Sequence, residues 1–303
     1  MTETVDSLRL TALNSVSLSL DRSRFRRNRV PFIRNPIPVY PDNTPVLGRR
    51  GFRLIIVRRI RKQAVSREAI YSTEYVRGLF DGMAATYGVT NLISSLGFCQ
   101  RWRAQCIALV PIEEGMVVFD LMSGMGECWP GIARRLGTRG SIVGVDFCPA
   151  MCKRAERTRV RLVGTTIQQR QEDFLVNSIP NASADCVVSS FGLKTFSAAQ
   201  HATVASEIAR ILKPGAHFSL LEISVPKAGA LRAPYMFYLK YCVPLMGAVF
   251  LGNPDNYRLL GVYAEEFVDC SAMGELLRTH GLEVEFCSLF FGCATALHGR
   301  RTA

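Results

Sequence analysis

The fold is decided by the stretch Val117-Val118-Phe119-Asp120-Leu121-Met122-Ser123-Gly124-Met125-Gly126-Glu127, which is followed by Ile142-Val143-Gly144-Val145-Asp146. An apolar run that stops at small residues, continues into a helix and precedes a second apolar run ending in an acid is typical of a nucleotide-binding βαβ unit. We therefore expect a ligand with an adenosyl group to bind where the first strand ends.

The charges of this unit discriminate between adenosyl ligands. Gly124 and Gly126 do not complete a G-x-G-x-x-G pattern, and Glu127 opens the helix where a pyrophosphate would prefer an uncharged N-terminus. Asp120 and Glu127 would repel phosphate but suit the cationic amino-acid end of S-adenosyl-L-methionine, while Asp146 is placed to accept both ribose hydroxyls. The pattern predicts a class I methyltransferase with S-adenosyl-L-methionine as its cofactor.

Further cofactor contacts are predicted at the ends of other strands. Asp120, with the backbone at Ser123 and Gly124, is placed to hold the methionine ammonium and carboxylate; the alternative is an acid that caps the following turn. Asp173, beside Phe174, is placed to meet the adenine amino group, although acids are common in loops after strands. The predicted cofactor-binding residues are Asp120, Ser123, Gly124, Gly126, Asp146, Phe147, Asp173, Phe174 and Ser190.

Residues 66–303 alternate between strand and helix patterns, which predicts a doubly wound α/β sheet. The last two strands have no helix between them, so we expect an antiparallel C-terminal hairpin on an otherwise mostly parallel seven-stranded sheet. A helical insertion is predicted at about 230–266. The predicted strands are 117–122, 141–146, 166–170, 184–190, 217–223, 282–290 and 293–298, and the predicted helices include 76–83, 91–109, 127–136, 149–158, 198–212 and 271–279.

Residues 1–65 differ in composition from the rest of the chain. They carry 14 arginines and lysines against four acids, so that +10 of the net charge of +12 lies here, and five prolines fall between positions 31 and 45. This proline density predicts a largely disordered extension. Its charge suits peripheral contact with an anionic membrane. The alternatives are a solvated tail and an overlong start of the reading frame.

Cysteine spacing and hydropathy bear on metals and location. The ten cysteines include no Cys-x-x-Cys pair and no matching histidine spacing, so no metal site is predicted and a reduced, cytoplasmic protein is expected. No apolar run is long enough to predict a membrane span. The longest apolar neighbourhood, Tyr235 to Leu251, is interrupted by Lys240 and Pro244 and is predicted to be a buried or interfacial helix.

The segment from Phe80 to Arg103 resembles the opening of the ubiquinone/menaquinone C-methyltransferases without a gap. The resemblance covers residues 75 to 300, and it implies a class I methyltransferase that uses S-adenosyl-L-methionine. Other matching segments are Ser190-Phe191-Gly192-Leu193, Arg210-Ile211-Leu212-Lys213-Pro214-Gly215, Leu221-Glu222-Ile223-Ser224-Val225-Pro226 and Asp255-Asn256-Tyr257-Arg258-Leu259-Leu260.

Two departures from the family pattern concern the acceptor. Where family members have Arg-Asn after the fourth strand this chain has Lys194-Thr195, and the acid that normally follows the tyrosine is Gly88. The resemblance implies that those family residues lie at the quinol, so we expect weak turnover of demethylmenaquinol here. Lys194 can still lower the pKa of a nearby phenol, although it lacks the planar fork of arginine.

The predicted acceptor-side residues are Lys194, Tyr87, Tyr257 and Arg258. Alternatively, Lys194 is a solvated lysine past a strand end, and Tyr87 only packs the first helix against the cofactor. The insertion is predicted to form an apolar lid over the acceptor, with plain core packing as the alternative. Its lid residues are Tyr235, Met236, Phe237, Tyr238, Tyr241, Met246 and Phe250.

The leading interpretation is a methyltransferase that acts at carbon on a small apolar, aromatic or quinoid acceptor, either as a monomer or as a homodimer. The first alternative is O- or N-methylation of a lipid or secondary metabolite. A third interpretation is an RNA-modifying protein that uses the basic extension, and a fourth is a non-catalytic subunit. Against RNA, the fourth strand ends in Ser189-Ser190-Phe191-Gly192 rather than in the Asp/Asn-Pro-Pro-Tyr/Phe that presents an exocyclic amine. No nucleic-acid partner is expected.

Overall fold

The computed structural model describes residues 68–227, 229–251 and 254–303. The extension at residues 1–65 lies outside these ranges, so its predicted disorder stays a prediction. The strands are β1 Val117–Leu121, β2 Ser141–Asp146, β3 Thr166–Gln171, β4 Ala184–Ser190, β5 Leu212–Ile223, β6 Leu282–Leu289 and β7 Ala294–Arg301. The α-helices are α1 Thr73–Met83, α2 Tyr87–Ser94, α3 Phe98–Ala108, α4 Trp129–Leu136, α5 Pro149–Arg161, α6 Ala198–Ile211, α7 Gly229–Phe237, α8 Val243–Leu251, α9 Pro254–Phe267 and α10 Ser271–Thr279.

The seven strands form one sheet in the order β3-β2-β1-β4-β5-β7-β6. β1 pairs in parallel with β2 and β4, β2 with β3, and β4 with β5, whereas β7 runs antiparallel between β5 and β6. The predicted fold class is therefore confirmed, including the C-terminal hairpin. The carboxyl ends of the parallel strands meet at one edge, which is where ligands of doubly wound sheets bind.

Apolar side chains are buried on both faces of the sheet. Phe119 of β1 belongs to a cluster that includes Ile208 of α6, while the neighbouring Val118 belongs to a cluster that includes Trp129 of α4. This assignment to opposite clusters follows from the alternation of side chains along a strand. Burying one such side chain contributes roughly 1.5–3 kcal/mol, so the two clusters fix the sheet between its helices.

The helix predicted over residues 91–109 is instead two helices, α2 and α3. Leu96 and Gly97 have φ values of 50° and 79°, and this left-handed backbone ends α2 before α3 begins at Phe98. The signal in the sequence was Gly97 itself, because glycine is the residue that most often ends a helix in this conformation.

β5 also begins earlier than predicted, at Leu212 rather than 217. Leu212 pairs with Ala184 before an irregularity between Ala184 and Cys186 shifts the register to the Cys186–His217 pair. The Lys-Pro-Gly segment that follows Leu212 is thereby included in the strand. Proline is tolerated because it lies beside this irregularity.

The insertion predicted at about 230–266 is helical in the structure. It consists of α7, a π-helical turn Tyr238–Cys242, α8 and α9, and we call residues 229–267 the lid segment. Within the three described ranges no helix combines the length and apolar composition needed to cross a bilayer.

Candidate functional site

A cleft, here called the cofactor cavity, opens at the carboxyl edge of the sheet and encloses about 830 Å³ when the solvent at its open side is counted. It lies where β1, β2 and β4 end and is covered by α1 and the start of α2. It is lined by Tyr71, Thr73, Val76, Phe80, Tyr87, Arg103, Met122, Ser123, Gly124, Glu127, Val145, Asp146, Phe147, Met151, Glu172, Asp173, Phe174, Leu175, Ser190, Phe191, Gly192, Thr195, Phe196 and Gln200.

Predicted residues converge on this cavity from four separate parts of the chain. Seven of the nine predicted cofactor-binding residues line it, and the two exceptions are Asp120 and Gly126. Their convergence follows from the parallel sheet, because the turns after β1, β2, β3 and β4 all fall at the same edge.

Asp146 ends β2 and is held in place by the turn after β1. Its Oδ2 accepts a hydrogen bond from the Gly124 amide at 2.8 Å, and its Oδ1 accepts one from the Cys148 amide at 2.9 Å. Burial raises the pKa of Asp146 to about 6, although both backbone donors act against this rise. Each carboxylate oxygen retains a free acceptor site, so Asp146 fits the predicted ribose contact.

Asp120 lies beneath the wall of the cofactor cavity rather than in it. It is buried, and its Oδ2 has no hydrogen-bond partner among the described residues; the buried Ser123 Oγ is in the same state. Burial raises the pKa of Asp120 well above its ordinary value, and the nearby carboxylate of Glu127 adds to the rise. Two orphaned polar atoms under one turn fit a bound group that carries hydrogen-bond donors and acceptors, such as the methionine end of the predicted cofactor.

Gly126 has a packing role that the sequence did not reveal. Its φ is 75°, and a Cβ at this position would lie 2.5 Å from the buried ring of Trp129. Gly144 of β2 faces the same ring, since its Cβ would also come within 2.5 Å of it. The second glycine of the motif therefore admits the indole beneath the cofactor cavity and does not line the cavity itself.

The most important residue that the sequence reasoning missed is Arg103. It is buried on α3, where its Nη2 lies 3.4 Å from Glu127 Oε1 and its Nε donates to Ser190 Oγ at 3.3 Å. Its guanidinium also lies 5.0 Å from the centre of the Phe191 ring. Only its place in the family-like segment pointed to it, because nothing in the local sequence shows that α3 packs against β4 and β5.

Asp173 and Phe174 both line the cofactor cavity, and Asp173 is also a helix cap. Its Oδ1 accepts from the Leu175 amide at 2.9 Å, and its Oδ2 accepts from Thr73 Oγ1 of α1 at 2.9 Å. The alternative given for Asp173, an ordinary acid in a loop after a strand, is therefore compatible with the structure. The contact with Thr73 shows in addition that Asp173 ties α1 over the cavity, and its predicted contact with adenine stays a prediction.

A second cleft, the acceptor cavity, adjoins the first and encloses about 1220 Å³ when the solvent at its open side is counted. Tyr87 and Phe191 line both cavities and so form the wall between them. The described lining contains no carboxylate and no histidine. It consists of Tyr87, Asn91, Ser94, Ser95, Leu96, Phe98, Cys99, Trp102, Phe191, Lys194, Ile223, Leu231, Pro234, Tyr235, Tyr238, Leu239, Val243, Leu260, Phe290 and Cys293.

Lys194 lines the acceptor cavity as predicted, but as one half of a buried ion pair. Its Nζ donates to Glu222 Oε1 at 3.1 Å and to the carbonyl oxygen of Phe191 at 2.6 Å, and its backbone amide donates to Glu222 Oε2 at 3.0 Å. Glu222 is fully buried. The alternative of a solvated lysine is therefore wrong, and one ammonium proton remains for a ligand.

Tyr87 stands at the junction of the two cavities. Burial raises the pKa of Tyr87 above its ordinary value, and the charge of Glu127 adds to the rise. The phenol is therefore protonated at neutral pH, so it can donate a hydrogen bond but cannot serve as a ready base.

Tyr257 and Arg258 do not line the acceptor cavity. Tyr257 does line an adjoining pocket together with Tyr87 and Lys194. The predicted acceptor roles of Tyr257 and Arg258 stay predictions. The Tyr257 hydroxyl is buried within hydrogen-bond distance of Thr86 Oγ1 at 3.2 Å and Thr90 Oγ1 at 3.0 Å. Arg258, the next residue of α9, is exposed. Successive residues of a helix point in different directions, so the family-like Tyr-Arg pair cannot turn both side chains to one cavity.

Two of the seven predicted lid residues line the acceptor cavity, and their role as a lid stays a prediction. Tyr235 and Tyr238 line the acceptor cavity, and the Tyr235 hydroxyl donates to the carbonyl oxygen of Cys293 at 3.1 Å. Phe237 and Tyr241 are exposed instead. Met236 and Met246 pack in a separate cluster with Tyr257 and Tyr263, which agrees with the alternative of core packing. The side chain of Phe250 is not among those that the structure describes.

Two residues that line the cofactor cavity have a strained backbone conformation. Met122 and Phe191 are not glycines, yet they have φ values of 51° and 64°. Gly192 lies against Met122, because a Cβ at Gly192 would be 2.5 Å from the Met122 Cβ. Such backbone strain is concentrated at binding and catalytic sites. Nowhere in the described ranges do three or more His, Cys, Asp or Glu side chains form a group suited to a metal ion.

Comparison with known proteins agrees with this geometry. The model of the ubiE/COQ5 methyltransferase family matches residues 68–301. The chain is 30% identical over 230 residues to a demethylmenaquinone methyltransferase of Lactiplantibacillus plantarum, covering 75% of this chain and 96% of that protein. It is 27% identical to the ubiquinone/menaquinone biosynthesis C-methyltransferase UbiE of Citrobacter koseri, covering 78% of this chain and 93% of that protein.

Solved structures support the fold alone. The [4+2]-cyclase SpnF superposes with a TM-score of 0.54 at 14% identity, covering 77% of this chain and 97% of that one. The S-adenosylmethionine-dependent methyltransferase SibL superposes with a TM-score of 0.51 at 17% identity, covering 69% of this chain and 57% of that one. At such identities the architecture is shared, whereas the reaction has to be argued from the site.

Proposed function

The chain belongs to the ubiE/COQ5 methyltransferase family and is an S-adenosyl-L-methionine-dependent methyltransferase, and we propose that it methylates a ring carbon of a small apolar, quinoid acceptor. The observation that carries this proposal is the wall that Tyr87 and Phe191 form between the polar cofactor cavity and the apolar acceptor cavity. A methyl group has to pass between two ligands that lie in line, and this wall is where they would meet.

The cofactor supplies an electrophilic methyl group on a sulfonium. Asp146 would accept the ribose hydroxyls, and Glu127, which lines the cofactor cavity, would meet the methionine ammonium with the buried Asp120 behind it. Arg103 would take the methionine carboxylate, because its buried guanidinium faces the cavity beside Glu127. Together these residues would hold the cofactor in the cavity that Phe191 walls on one side.

Carbon methylation requires an electron-rich ring, and a phenolate provides it. The third proton of the Lys194 ammonium can hydrogen-bond a phenol oxygen and stabilise its ionised form. The carboxylate of Glu222 pairs with the Lys194 ammonium inside an apolar cavity, where an unpaired ammonium would be costly. Transfer of the methyl group to the ring carbon would leave S-adenosylhomocysteine as the second product, and the proton displaced from that carbon would pass to solvent as the ring regains its aromaticity.

The acceptor cavity favours an apolar ring over a polar metabolite. Trp102, Phe98 and Tyr235 supply much of its lining, and a polar group left unpaired against such walls would cost roughly 1–3 kcal/mol. The relatives named above include a demethylmenaquinone methyltransferase, which supports a quinone-like ring as the acceptor class. For the basic extension we retain peripheral contact with anionic membranes as a proposal that rests on its charge.

The test is direct transfer of a labelled methyl group. Purified protein is incubated with methyl-labelled S-adenosyl-L-methionine and reduced naphthoquinones that lack the ring methyl group, and mass spectrometry with fragmentation locates the added carbon. A product labelled on the ring carbon supports the proposal. A product labelled only on oxygen or nitrogen would replace it with heteroatom methylation, and the absence of any labelled product, in protein that binds the cofactor, would reject this acceptor class.

A further inference from the structure

We propose that two turns at the open end of the acceptor cavity insert into the interface of an anionic lipid bilayer. The turns are Ser95–Gly97 and residues 290–292, and we call them the mouth turns. Delivery of an acceptor from the bilayer rests on the proposed function, whereas insertion itself does not. This surface is distinct from the basic extension, which lies outside the described residues.

The first mouth turn presents a large apolar side chain to solvent. Leu96 is 83% exposed and has a φ of 50°, and it is followed by Gly97 with a φ of 79°. A leucine in left-handed backbone is strained. Because the Leu96 side chain is exposed, burial within the protein does not offset this strain. Leu92 and Ile93, in the last turn of α2, continue the exposed apolar surface.

The second mouth turn repeats both features. Phe290, Phe291 and Gly292 have φ values of 44°, 55° and 88°, and Phe291 is 79% exposed. The rings of Phe290 and Phe98 lie 4.4 Å apart. Because Leu96, Phe98 and Phe290 all line the acceptor cavity, the two turns stand on the same rim.

The exposed face of the lid segment extends this apolar rim. Phe237, Tyr241 and Leu245 are exposed at intervals of four residues, which places them on one helical face. The Tyr238 hydroxyl donates to the Ser94 carbonyl, so the lid segment lies beside the first mouth turn. Singly exposed apolar residues are ordinary, but a continuous set around a cavity mouth marks an interaction surface.

The charges around the rim indicate an anionic lipid surface as the occupant. The three segments that frame the mouth, residues 89–112, 223–254 and 286–303, contain no aspartate and no glutamate. They do contain exposed cations, among them Arg101 and Arg232. The exposed Lys227 is paired with Asp269, whose Oδ2 lies 3.3 Å from its Nζ. The backbone of Lys227 lies against Gly292 of the second mouth turn. Aromatic and aliphatic tips flanked by basic residues are the pattern of interfacial membrane binding.

Insertion would explain why an apolar cavity opens through a strained apolar rim. A ring with an apolar tail could pass from the bilayer into the acceptor cavity without exposing its surface to water. The cavity mouth would then be closed by lipid instead of by a moving part of the protein.

The experiment compares vesicle binding of the full chain and of two double variants. Vesicles of mixed phosphatidylcholine and phosphatidylglycerol are floated in low salt and in roughly 1 M sodium chloride, at which exposed charges are screened. The test variant is Leu96→Ser with Phe291→Ser. The matched control is Val163→Ser with Val176→Ser, since these valines are 93% and 84% exposed and do not line either cavity.

We expect the test variant to lower partitioning onto vesicles by about tenfold or more in both salts, which is the loss of about 1.4 kcal/mol or more of binding. The control should bind as the unaltered chain does, and thermal unfolding should show that both variants are folded. Equal binding by the test variant and the control would overturn the proposal.

A second readout places the turn in the lipid. The native Trp102 and Trp129 are buried, so a Phe291→Trp variant adds a tryptophan whose emission reports on the mouth. Its emission should shift to the blue on addition of vesicles, and an unshifted emission in bound protein would overturn the insertion. If the test variant instead abolishes a concentration-dependent dimer, seen by light scattering without vesicles, while vesicle binding is unchanged, the rim is a contact between two copies of the chain and the proposal is wrong.

Discussion

The ammonium of Lys194 holds the carbonyl oxygen of Phe191 at 2.6 Å, three residues back along the chain. Phe191 is the residue that walls both cavities in left-handed backbone, and its ring also lies under Arg103. Two buried cations therefore fix one strained residue between cofactor and acceptor. Glu222 offsets the cost of burying the Lys194 ammonium, because its carboxylate lies beside that ammonium where water does not reach.

Replacing Lys194 by methionine should destabilise the protein strongly. Glu222 would be left buried without its cation, and removing one partner of a buried ion pair costs about 3–5 kcal/mol. Denaturant unfolding measures the loss. The double variant Lys194→Met with Glu222→Leu removes both charges and should recover most of it. A loss below about 1 kcal/mol in the single variant would show that the pair is weaker than its geometry indicates.

Replacing Asp146 by alanine should weaken cofactor binding by at least about tenfold. Two hydrogen bonds from a carboxylate to hydroxyls, each contributing roughly 1.5–3 kcal/mol, would be lost. Titration calorimetry with S-adenosylhomocysteine measures the change. The Asp173→Ala variant, measured beside it, shows whether the adenine end contributes comparably. A folded Asp146→Ala variant with unaltered affinity would remove Asp146 from the site.

Binding of S-adenosylhomocysteine should also weaken as the pH falls below about 6, the pKa to which burial raises Asp146. The ionised carboxylate accepts two hydroxyl donors, and protonation removes that capacity. In the absence of ligand the sign is opposite, because between the ordinary value of 3.8 and about 6 the folded protein binds a proton that the unfolded chain releases. Raising the pH through this window therefore lowers the free energy of unfolding. Asp146→Asn should flatten both profiles, and a profile unchanged by that substitution would assign the titration to another group.

Removal of residues 1–60 should leave folding and cofactor binding intact while weakening attachment to anionic vesicles at low salt. Most of the net charge of the chain lies in this extension, and attraction between exposed charges is screened by salt. Circular dichroism and flotation with increasing salt measure the two effects. Loss of folding would show that the extension is structural, and salt-insensitive loss of binding would reject its electrostatic role.

The unmodified chain should turn over demethylmenaquinol weakly, because it lacks the family's Arg-Asn pair and acid. The triple variant Lys194→Arg, Thr195→Asn and Gly88→Asp should raise that turnover if the acceptor cavity is otherwise suited to a quinol. A Cβ at Gly88 would lie 3.1 Å from the flexible end of Met125, which can move aside. Initial rates with labelled cofactor measure the change. Efficient turnover by the unmodified chain would contradict the prediction, and no gain in the variant would assign substrate choice to the lid segment.

The strands and the cofactor edge could be predicted because they depend on local patterns. An apolar run followed by glycine and an acid predicts a strand and a turn, and parallel topology then brings the turns together. Arg103 could not be found this way, since its contact with Ser190 joins residues far apart in the chain. The contacts of the Tyr257 hydroxyl with Thr86 and Thr90 could not be predicted for a related reason, because the resemblance supplied the identity of Tyr257 but not the direction in which α9 presents it.

Met122 and Gly192 have a consequence for how this sequence can diverge. The side chain at one position occupies the space that any side chain at the other would need, since a Cβ at Gly192 would lie 2.5 Å from the Met122 Cβ. Alanine can therefore replace Gly192 without a clash only after glycine has replaced Met122. If the two substitutions occurred in the reverse order, the two Cβ atoms would collide in the intermediate protein. The two sites are therefore expected to co-vary among close descendants, although they belong to different strand ends and lie 70 positions apart.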